Sequence, residues 1–232
     1  YDDTQENLKT LIQESADTRA KKGSNKQKLG DLYNSYMNIE QANEKGILPL
    51  KPLLASIYAA ENMQQLSKVF GELYVLGVGG AFNFYTSPDA KDPEVVAMYL
   101  YQSGLTLPDR DYYSKQEEKF VNFRTATEKY MTDILTRTGH QSGADADSKI
   151  MAWEKDIAGK HLSRVESRDA EKNYNKKSTV QVKALLGSFD WQAYADASGV
   201  GEVNDMVVRN MPYFEQIAGI FDAHDLQTWK DY

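Results

Sequence analysis

Apolar residues recur at helical spacing along most of this 232-residue chain. A repeat of three or four residues places apolar side chains along one stripe of an α-helix, whereas a half-buried strand buries every second residue. Clusters of Gly, Pro and Asn interrupt the repeat at short intervals, which is typical of a compact set of helices. The sequence therefore predicts a mainly α, multi-helix domain.

Four apolar stripes precede residue 80, at positions 8–15, 29–37, 53–58 and 66–76. Ser24 or Asn25 can cap the second helix, since short polar side chains accept its first amide hydrogens, and we expect that helix to end before Gly46. Pro49 and Pro52 suit the first turn of the third helix, where a missing amide hydrogen costs nothing. Four helices are thus predicted in the first third of the chain.

The period changes near residues 81–102. Residues 81–86 and 95–101 are rich in β-branched and aromatic side chains, and residues 87–93 between them contain turn-forming Ser, Pro and Asp. This combination predicts one small β-hairpin-like element. Residues 104–113, which include Pro108, are predicted to be a non-helical connector.

Helical spacing returns after the connector. The longest predicted helix carries a stripe over residues 120–135 and ends at Gly139, and a polar loop over residues 140–145 follows. Further helices are predicted at positions 150–161, 178–185, from 189, 211–221 and 225–232. The sequence has no internal repeat.

Composition excludes several classes of function. With 27 Lys and Arg against 34 Asp and Glu, the formal net charge is −7, so the chain is not expected to bind nucleic acid, because phosphate-backbone binding requires a basic surface. No run approaches the ~18 apolar residues of a membrane span. The chain has no Cys, which excludes disulfides and thiolate sites. Since it begins at Tyr1 with a polar segment, we expect an interior piece of a longer protein or a processed form.

The three histidines do not form a recognisable metal site. His140, His161 and His224 lie in no HExxH pattern. Glu154 precedes His161 by two helical turns, but zinc usually requires four ligands. We therefore interpret Glu154 and His161 as the edge of an amphipathic helix, and predict no metal ligand and no catalytic residue in this chain.

Two other patterns also have ordinary structural interpretations. Adjacent carboxylates are interpreted as solvated loop residues, because none completes a calcium loop; they are Asp109 with Asp111, Glu117 with Glu118, and Asp145 with Asp147. Glycines 77, 79 and 80 follow a predicted helix and precede a strand, which is the wrong order for a dinucleotide-binding motif. They are interpreted as a helix C-cap.

Four stretches together carry a family resemblance. Residues 23–37 (GSNKQKLGDLYNSYM) are followed by GILPL at 46–50, and residues 102–113 read QSGLTLPDRDYY. EKDIA at 154–158 continues to RDAEKNYN at 168–175, and FDW stands at 189–191. In this order and spacing they resemble the neprilysin and endothelin-converting-enzyme family of zinc metallopeptidases, including its bacterial oligopeptidase members. The motif at 107–113 is the most specific part.

The resemblance implies that residues 1–232 form a single N-terminal helical lid domain of a larger metallopeptidase. In that family the lid closes over a separate catalytic domain, which carries HExxH, a downstream glutamate ligand and the zinc. This chain contains no HExxH motif. We therefore expect no cofactor in this fragment and a zinc ion in the missing catalytic domain. The fragment alone should be inactive. The implied partners are its own catalytic domain and peptide substrates, and the implied location is extracytoplasmic: periplasmic, secreted or lipid-anchored.

The family motifs single out residues whose expected role is structural or interdomain; they are Leu107, Pro108, Asp109, Arg110, Asp111, Tyr112, Tyr113, Arg168, Asp169, Tyr174 and Asn175. Pro108 is expected to fix the entry to the long helix. Asp109 or Asp111 would then accept its first amide hydrogens, with Tyr112 and Tyr113 packed below.

The remaining motif residues have local expected roles. Arg168 and Asp169 are expected to make a local ion pair or a hinge contact, and Tyr174 and Asn175 to anchor the chain as it turns back. In relatives, an arginine that grips the carboxylate of the peptide's C-terminus lies just before an aromatic residue like Tyr1. Tyr1 is therefore a candidate for the substrate-side edge.

Two other functions remain open at this level. The chain could be a free-standing helical module that binds a peptide or protein through its aromatic surface. It could also be an independent metalloenzyme built on His161 and nearby acids, which the ligand count disfavours. An HExxH helix in the same reading frame beyond Tyr232 would exclude the free-standing module, whereas an early stop codon would favour it.

Overall fold

The computed structural model describes residues 2–139 and 145–232. These residues form twelve α-helices and one small four-stranded sheet, which confirms the prediction of a mainly α fold with a small β element. Contacts divide the chain into two compact units, residues 1–51 and residues 52–232. We call them the N-terminal unit and the C-terminal unit.

The N-terminal unit contains α1 (Asp2–Asp17), α2 (Asn25–Met37) and α3 (Ile39–Lys45). Ser24 caps α2 as predicted, since its hydroxyl accepts the Gln27 amide hydrogen at 3.2 Å. Helix α2 ends before Gly46, as predicted. It ends at Met37 because the side chain of Asn38 accepts the Gln41 amide hydrogen at 3.0 Å and starts α3.

Helices α1 and α2 approach each other closely at Gly30. A Cβ atom at that position would lie 2.3 Å from the carbonyl oxygen of Ser15. The side-chain amide of Asn34 also donates to the Ala16 carbonyl at 3.1 Å. This unit therefore relies on backbone proximity, while apolar side chains such as Leu8 (51% exposed) and Leu32 (69% exposed) lie at the surface.

The other nine of the described helices belong to the C-terminal unit, although the first residue of α4, Lys51, is still counted in the N-terminal unit. They are α4 (Lys51–Ala59), α5 (Met63–Val75), α6 (Asp111–Ser114), α7 (Glu118–Arg137), α8 (Ala146–Lys160), α9 (Thr179–Leu186), α10 (Trp191–Ala197), α11 (Met211–Ala223) and α12 (Leu226–Asp231). Ser178 and Gln181 form the capping box that starts α9. Among the helices described, none has the length and apolar composition to cross a bilayer.

The sheet contains β1 (Phe82–Asp89), β2 (Asp92–Gln102), β3 (Asn175–Ser178) and β4 (Asp205–Val208), in the order β1-β2-β4-β3. Strands β1 and β2 form the predicted antiparallel hairpin, β2 and β4 are parallel, and β4 and β3 are antiparallel. The predicted turn at 87–93 was too long, because both strands extend into it. The Tyr99 hydroxyl holds this end by bonding the Pro88 carbonyl and the Ala90 amide.

The main core lies between the hairpin and helices α5, α8, α9, α10 and α11. Aromatic rings fill its centre, where the Phe82 ring lies 5.1 Å from Phe189 and 5.4 Å from Tyr194. Phe214 and Ile217 of α11 are fully buried in the same cluster. Burial of this many large rings is the main stabilising contribution available to the unit. It provides a rigid base for the loop that follows β2.

Candidate functional site

The family motif at residues 102–113 forms a loop and the short helix α6, which contact the C-terminal end of α8. The loop is fixed at its start by Gln102. Its side-chain amide donates to the Leu162 carbonyl at 3.0 Å and accepts the Leu162 amide hydrogen at 2.8 Å. A glutamine side chain thus pairs with both backbone groups of one residue, as a neighbouring strand would.

The next turn of the loop requires glycine. Gly104 has φ +98°, and a Cβ atom there would lie 3.0 Å from the Ala81 Cα atom. Beside it, Nε2 of the buried His161 lies 3.0 Å from the Ser103 carbonyl oxygen. Burial lowers the pKa of His161 to about 4, so the ring is neutral near pH 7. Since a carbonyl only accepts, Nε2 carries the hydrogen.

Glu154 fixes the middle of the loop. Its fully buried carboxylate accepts the Thr106 hydroxyl hydrogen at 2.6 Å and the Tyr113 hydroxyl hydrogen. The Tyr113 hydroxyl in turn accepts the Leu107 amide hydrogen at 2.9 Å. Burial raises the pKa of Glu154, while these hydrogen bonds lower it. Our interpretation of Glu154 and His161 as a helix edge was therefore wrong, because both side chains are buried against the motif loop.

The end of the motif starts α6 rather than the long helix. The Asp109 carboxylate accepts the Asp111 amide hydrogen at 2.9 Å, and α6 spans only Asp111–Ser114. The expectation that Pro108 fixes the entry to the long helix was wrong, since α7 begins at Glu118 after a separate turn.

A buried arginine joins α7 to this turn. Nη1 of Arg124 donates to the carbonyls of Tyr112 at 2.7 Å and Lys115 at 2.9 Å. The Tyr112 ring also packs edge-on against Phe120, with 5.2 Å between the ring centroids. Sequence reasoning gave no role to Arg124, although an arginine spaced among the apolar residues of a helix stripe was a visible signal.

A cleft of about 420 Å³, which we call the arginine cleft, is lined by residues 102–105, 107–110, 161–162, 164 and 167–168. It contains Arg110, Arg164 and Arg168. Nη1 of Arg110 donates to the His161 carbonyl at 2.7 Å, and Arg164 forms a 2.8 Å ion pair with Asp109. No carboxylate in the described part of the chain lies within ion-pair distance of Arg168. The cleft is therefore locally basic on an acidic chain.

The second family motif ties the hairpin to the sheet edge. The Tyr174 hydroxyl lies 2.8 and 3.0 Å from the two carboxylate oxygens of the buried Asp89. The backbone hydrogen bond from Lys91 and the Tyr174 hydroxyl hold the pKa of Asp89 below its usual value. Asn175 donates to the Val208 carbonyl at 3.1 Å. Asp169 forms its ion pair with Lys172, at 3.2 Å.

Asn210 lies beneath the cleft and was missed by sequence reasoning. Its side-chain oxygen accepts the Gln102 amide hydrogen at 3.3 Å, and its side-chain nitrogen donates to the Ser167 hydroxyl at 3.1 Å. Its backbone is left-handed, with φ 51°. Asn is among the non-glycine residues that adopt this conformation most readily, so its position just before Met211 and Pro212 was the available signal.

These side chains do not fit a zinc ion. The described residues contain no group of three or more His, Asp or Glu side chains that could hold a metal. His161 is hydrogen-bonded to a backbone carbonyl, and Nε2 of His224 lies 3.3 Å from one carboxylate, that of Asp156. Zinc requires more ligands than either position offers. Tyr1 and His140 lie outside the described residues.

Known sequences similar to this chain include those of one group of peptidases. The model of Peptidase family M13 matches residues 1–232. Endothelin-converting enzyme 1 of Rattus norvegicus is 25% identical over 218 residues, which cover 86% of this chain and 28% of that protein. The human enzyme is 24% identical over 218 residues with the same coverage. The chain thus spans about 28% of the length of these relatives.

Solved structures match this fold over a larger part of the chain than the sequence relatives do. A structure of Mycobacterium tuberculosis zinc metalloprotease ZMP1 in complex with an inhibitor has a TM-score of 0.88 and 28% identity. The match covers 99% of this chain and 36% of that chain. PEPO from Lactobacillus rhamnosis has a TM-score of 0.72 over 98% of this chain and 36% of its own. At 13% identity this second match shows the fold alone.

Proposed function

The chain belongs to Peptidase family M13 as an N-terminal domain of its zinc metallopeptidases, and from this membership we propose that it is the non-catalytic lid of a zinc metalloendopeptidase that cleaves short peptides. Residues 1–232 form one lid domain in this proposal. Zinc and the catalytic residues belong to a separate domain of the same protein. The partners of the lid are that catalytic domain and the peptide substrate.

The observation that carries the proposal is the match to ZMP1. Almost all of this chain corresponds to about one third of a zinc metalloprotease, with a TM-score of 0.88. A chain that reproduces one part of such an enzyme and has no HExxH motif fits a part other than the zinc-binding one. The rigid attachment of the 102–113 loop to α8 also suits a shell that keeps its shape during opening and closing.

The physical role of a lid is selection and enclosure. A helical shell over an active site admits short, flexible peptides, excludes folded proteins and removes water from the reacting groups. Only contacts that strengthen in the transition state raise the chemical rate, so the lid alone accelerates nothing. We place the enzyme outside the cytoplasm, as a periplasmic, secreted or lipid-anchored protein.

Peptide cleavage by the isolated chain and by the full-length protein tests the non-catalytic assignment. The purified 232-residue chain, incubated with zinc and a set of short peptides, should release no fragments, whereas the full-length protein should cleave them. Mass spectrometry of the products measures both. Zinc-dependent cleavage by the chain alone would contradict the proposal. A gene that stops soon after Tyr232 would favour the free-standing binding module instead.

Substrate length tests the lid role separately. The full-length protein should cleave short peptides and leave long, folded polypeptides intact. A variant with residues 1–232 deleted should lose this discrimination if its catalytic domain remains folded, which zinc content and circular dichroism would establish. Equal discrimination by the folded deletion variant and the full-length protein would exclude a lid role.

A further inference from the structure

The arginine cleft has a charge that the rest of the molecule does not share. The whole chain carries a net charge of −7, yet three arginines and one carboxylate, Asp109, line this cleft. Arg110 also lies 3.9 Å from Glu166, at a distance where an exposed pair contributes little. The lining therefore has an excess of positive charge.

The arginines differ in how they are held. The backbone carbonyl of His161 holds Arg110, and the ion pair with Asp109 holds Arg164. Gln102 and Asn210 fix the walls below them. Arg168 is exposed and, in the described ranges, faces no carboxylate within ion-pair distance. The cleft thus combines a preorganised wall with one available guanidinium.

We propose that the arginine cleft is a binding subsite for a carboxylate group of an acidic peptide, with Arg168 as its main contact. A planar guanidinium binds a carboxylate through two parallel hydrogen bonds, which a lysine cannot do. Leu105, Leu107 and Pro108 add apolar lining for the neighbouring parts of a peptide. The choice of a peptide as the source of the carboxylate rests on the proposed function. It deepens that function by naming acidic peptides as a favoured ligand class.

A direct binding measurement on the 232-residue chain tests the subsite without any cleavage. The probe is a fluorescently labelled short peptide rich in glutamate, and the matched control peptide has glutamine at each of those positions. Fluorescence anisotropy should detect binding of the acidic peptide and much weaker binding of the neutral one. Binding should weaken as salt rises, because exposed charges are screened. Equal binding of the two peptides would overturn the proposal.

Variants localise the binding. Arg168→Gln should weaken binding of the acidic peptide by about three- to tenfold, since it removes one exposed charge-assisted contact. Arg168→Glu should weaken it further. Arg137→Gln, on an exposed part of α7 that does not line the cleft, removes the same charge elsewhere and should leave affinity unchanged. If Arg168→Gln and Arg137→Gln have the same effect, binding is not in this cleft and the proposal fails.

Inorganic phosphate distinguishes a carboxylate subsite from a general anion site. Added at matched ionic strength, acetate should displace the acidic peptide at lower concentrations than chloride does, because a guanidinium forms two parallel hydrogen bonds with a carboxylate and not with chloride. Displacement by phosphate at concentrations where acetate has no effect would overturn the carboxylate assignment. These readouts are independent of zinc and of cleavage. Loss of the binding result therefore leaves the lid proposal standing, and cleavage by the isolated chain would refute the lid without touching the binding result.

Discussion

The N-terminal and C-terminal units contain similar amphipathic helices but stabilise them differently. In the C-terminal unit the apolar stripes of α8 and α11 are buried, with Trp153, Ile157, Phe214 and Ile217 fully shielded from solvent. In the N-terminal unit the stripes of α1 and α2 are half-buried or exposed, and Ser15 and Gly30 are the buried positions of those two helices. One unit has an aromatic core, whereas the other is held by a close backbone approach.

The comparison teaches that an amphipathic pattern predicts a helix, but does not predict whether another segment will bury its apolar face. Helix propensity and capping depend on nearby residues only, so helices form in both units where the sequence predicts them. Burial depends on a partner surface that the pattern does not specify. The expected energetic consequence is that equal changes in the two units have unequal costs. Three predictions test this comparison of the two units, in order of decreasing expected effect.

Truncation of a large apolar side chain should separate the units most clearly. Phe214→Ala should lower the free energy of unfolding by about 3–5 kcal/mol, because it leaves a cavity in the aromatic core. Leu32→Ala is the control in the N-terminal unit and should change it by less than about 0.5 kcal/mol, since that side chain is 69% exposed. Denaturant titration monitored by circular dichroism measures both. Similar losses would show that the exposed stripe contributes as much as the core.

Acid should destabilise the C-terminal unit through His161. Its pKa falls from 6.5 to about 4 on folding, so its stabilising contribution is present above pH 6.5 and is lost as the pH falls toward 4. The loss can reach about 3 kcal/mol for a shift of this size. All three tryptophans lie in this unit, so their fluorescence in denaturant at several pH values reports its stability.

His161→Gln provides the matched comparison, because glutamine can still donate to the Ser103 carbonyl but does not titrate. The variant should lose less stability than the original chain between pH 6.5 and pH 4. Glu154 has a raised pKa and acts in the opposite direction, but it contributes equally to both proteins. Parallel pH curves for the two proteins would exclude His161 as the source of the acid sensitivity.

Glycine substitutions should reveal a feature that the units share. Gly30→Ala places a Cβ atom 2.3 Å from the Ser15 carbonyl, and Gly71→Ala places one 2.4 Å from the Tyr194 carbonyl. Each should destabilise its unit by about 1–3 kcal/mol, because backbone atoms must move apart. A Cβ atom at Gly219 of α11 would meet no side chain or neighbouring segment of the described residues within 4 Å, so Gly219→Ala should instead stabilise by about 0.5–1 kcal/mol.

Circular dichroism is the appropriate readout for this set, since the N-terminal unit has no tryptophan. The opposite sign of the Gly219 effect is the internal control for helix propensity. If Gly30→Ala and Gly219→Ala were both stabilising, the close approach of α1 and α2 would not be maintained in solution.

Local signals in the sequence predicted much of the fold. The helix predicted at 178–185 forms as α9, and the predicted stripe at 66–76 carries Leu66, Val69 and Phe70 of α5 into the core. Each of these features depends on residues within one or two helical turns. The mainly α class and the hairpin followed from the same local patterns.

Other features were missed because they depend on distant partners. Strands β3 and β4 have four residues each, which is too few to show an alternating pattern. They form because β4 pairs with the distant strand β2, and β3 then pairs with β4. The arrangement of Glu154, His161 and Gln102 depends on contacts between segments that are 48 to 60 residues apart. Spacing alone could not show that these polar side chains are buried.

The parallel pairing of β2 with β4 has a consequence for the order of assembly. Tyr99 pairs with Val207, more than a hundred residues later in the chain. During synthesis, the hairpin emerges well before its central neighbour and presents an open edge to other nascent chains. Contacts of such long separation form slowly, so completion of the sheet is expected to be a late event in folding. A ribosome-bound chain truncated before Asp205 should accordingly need a chaperone more than the complete one.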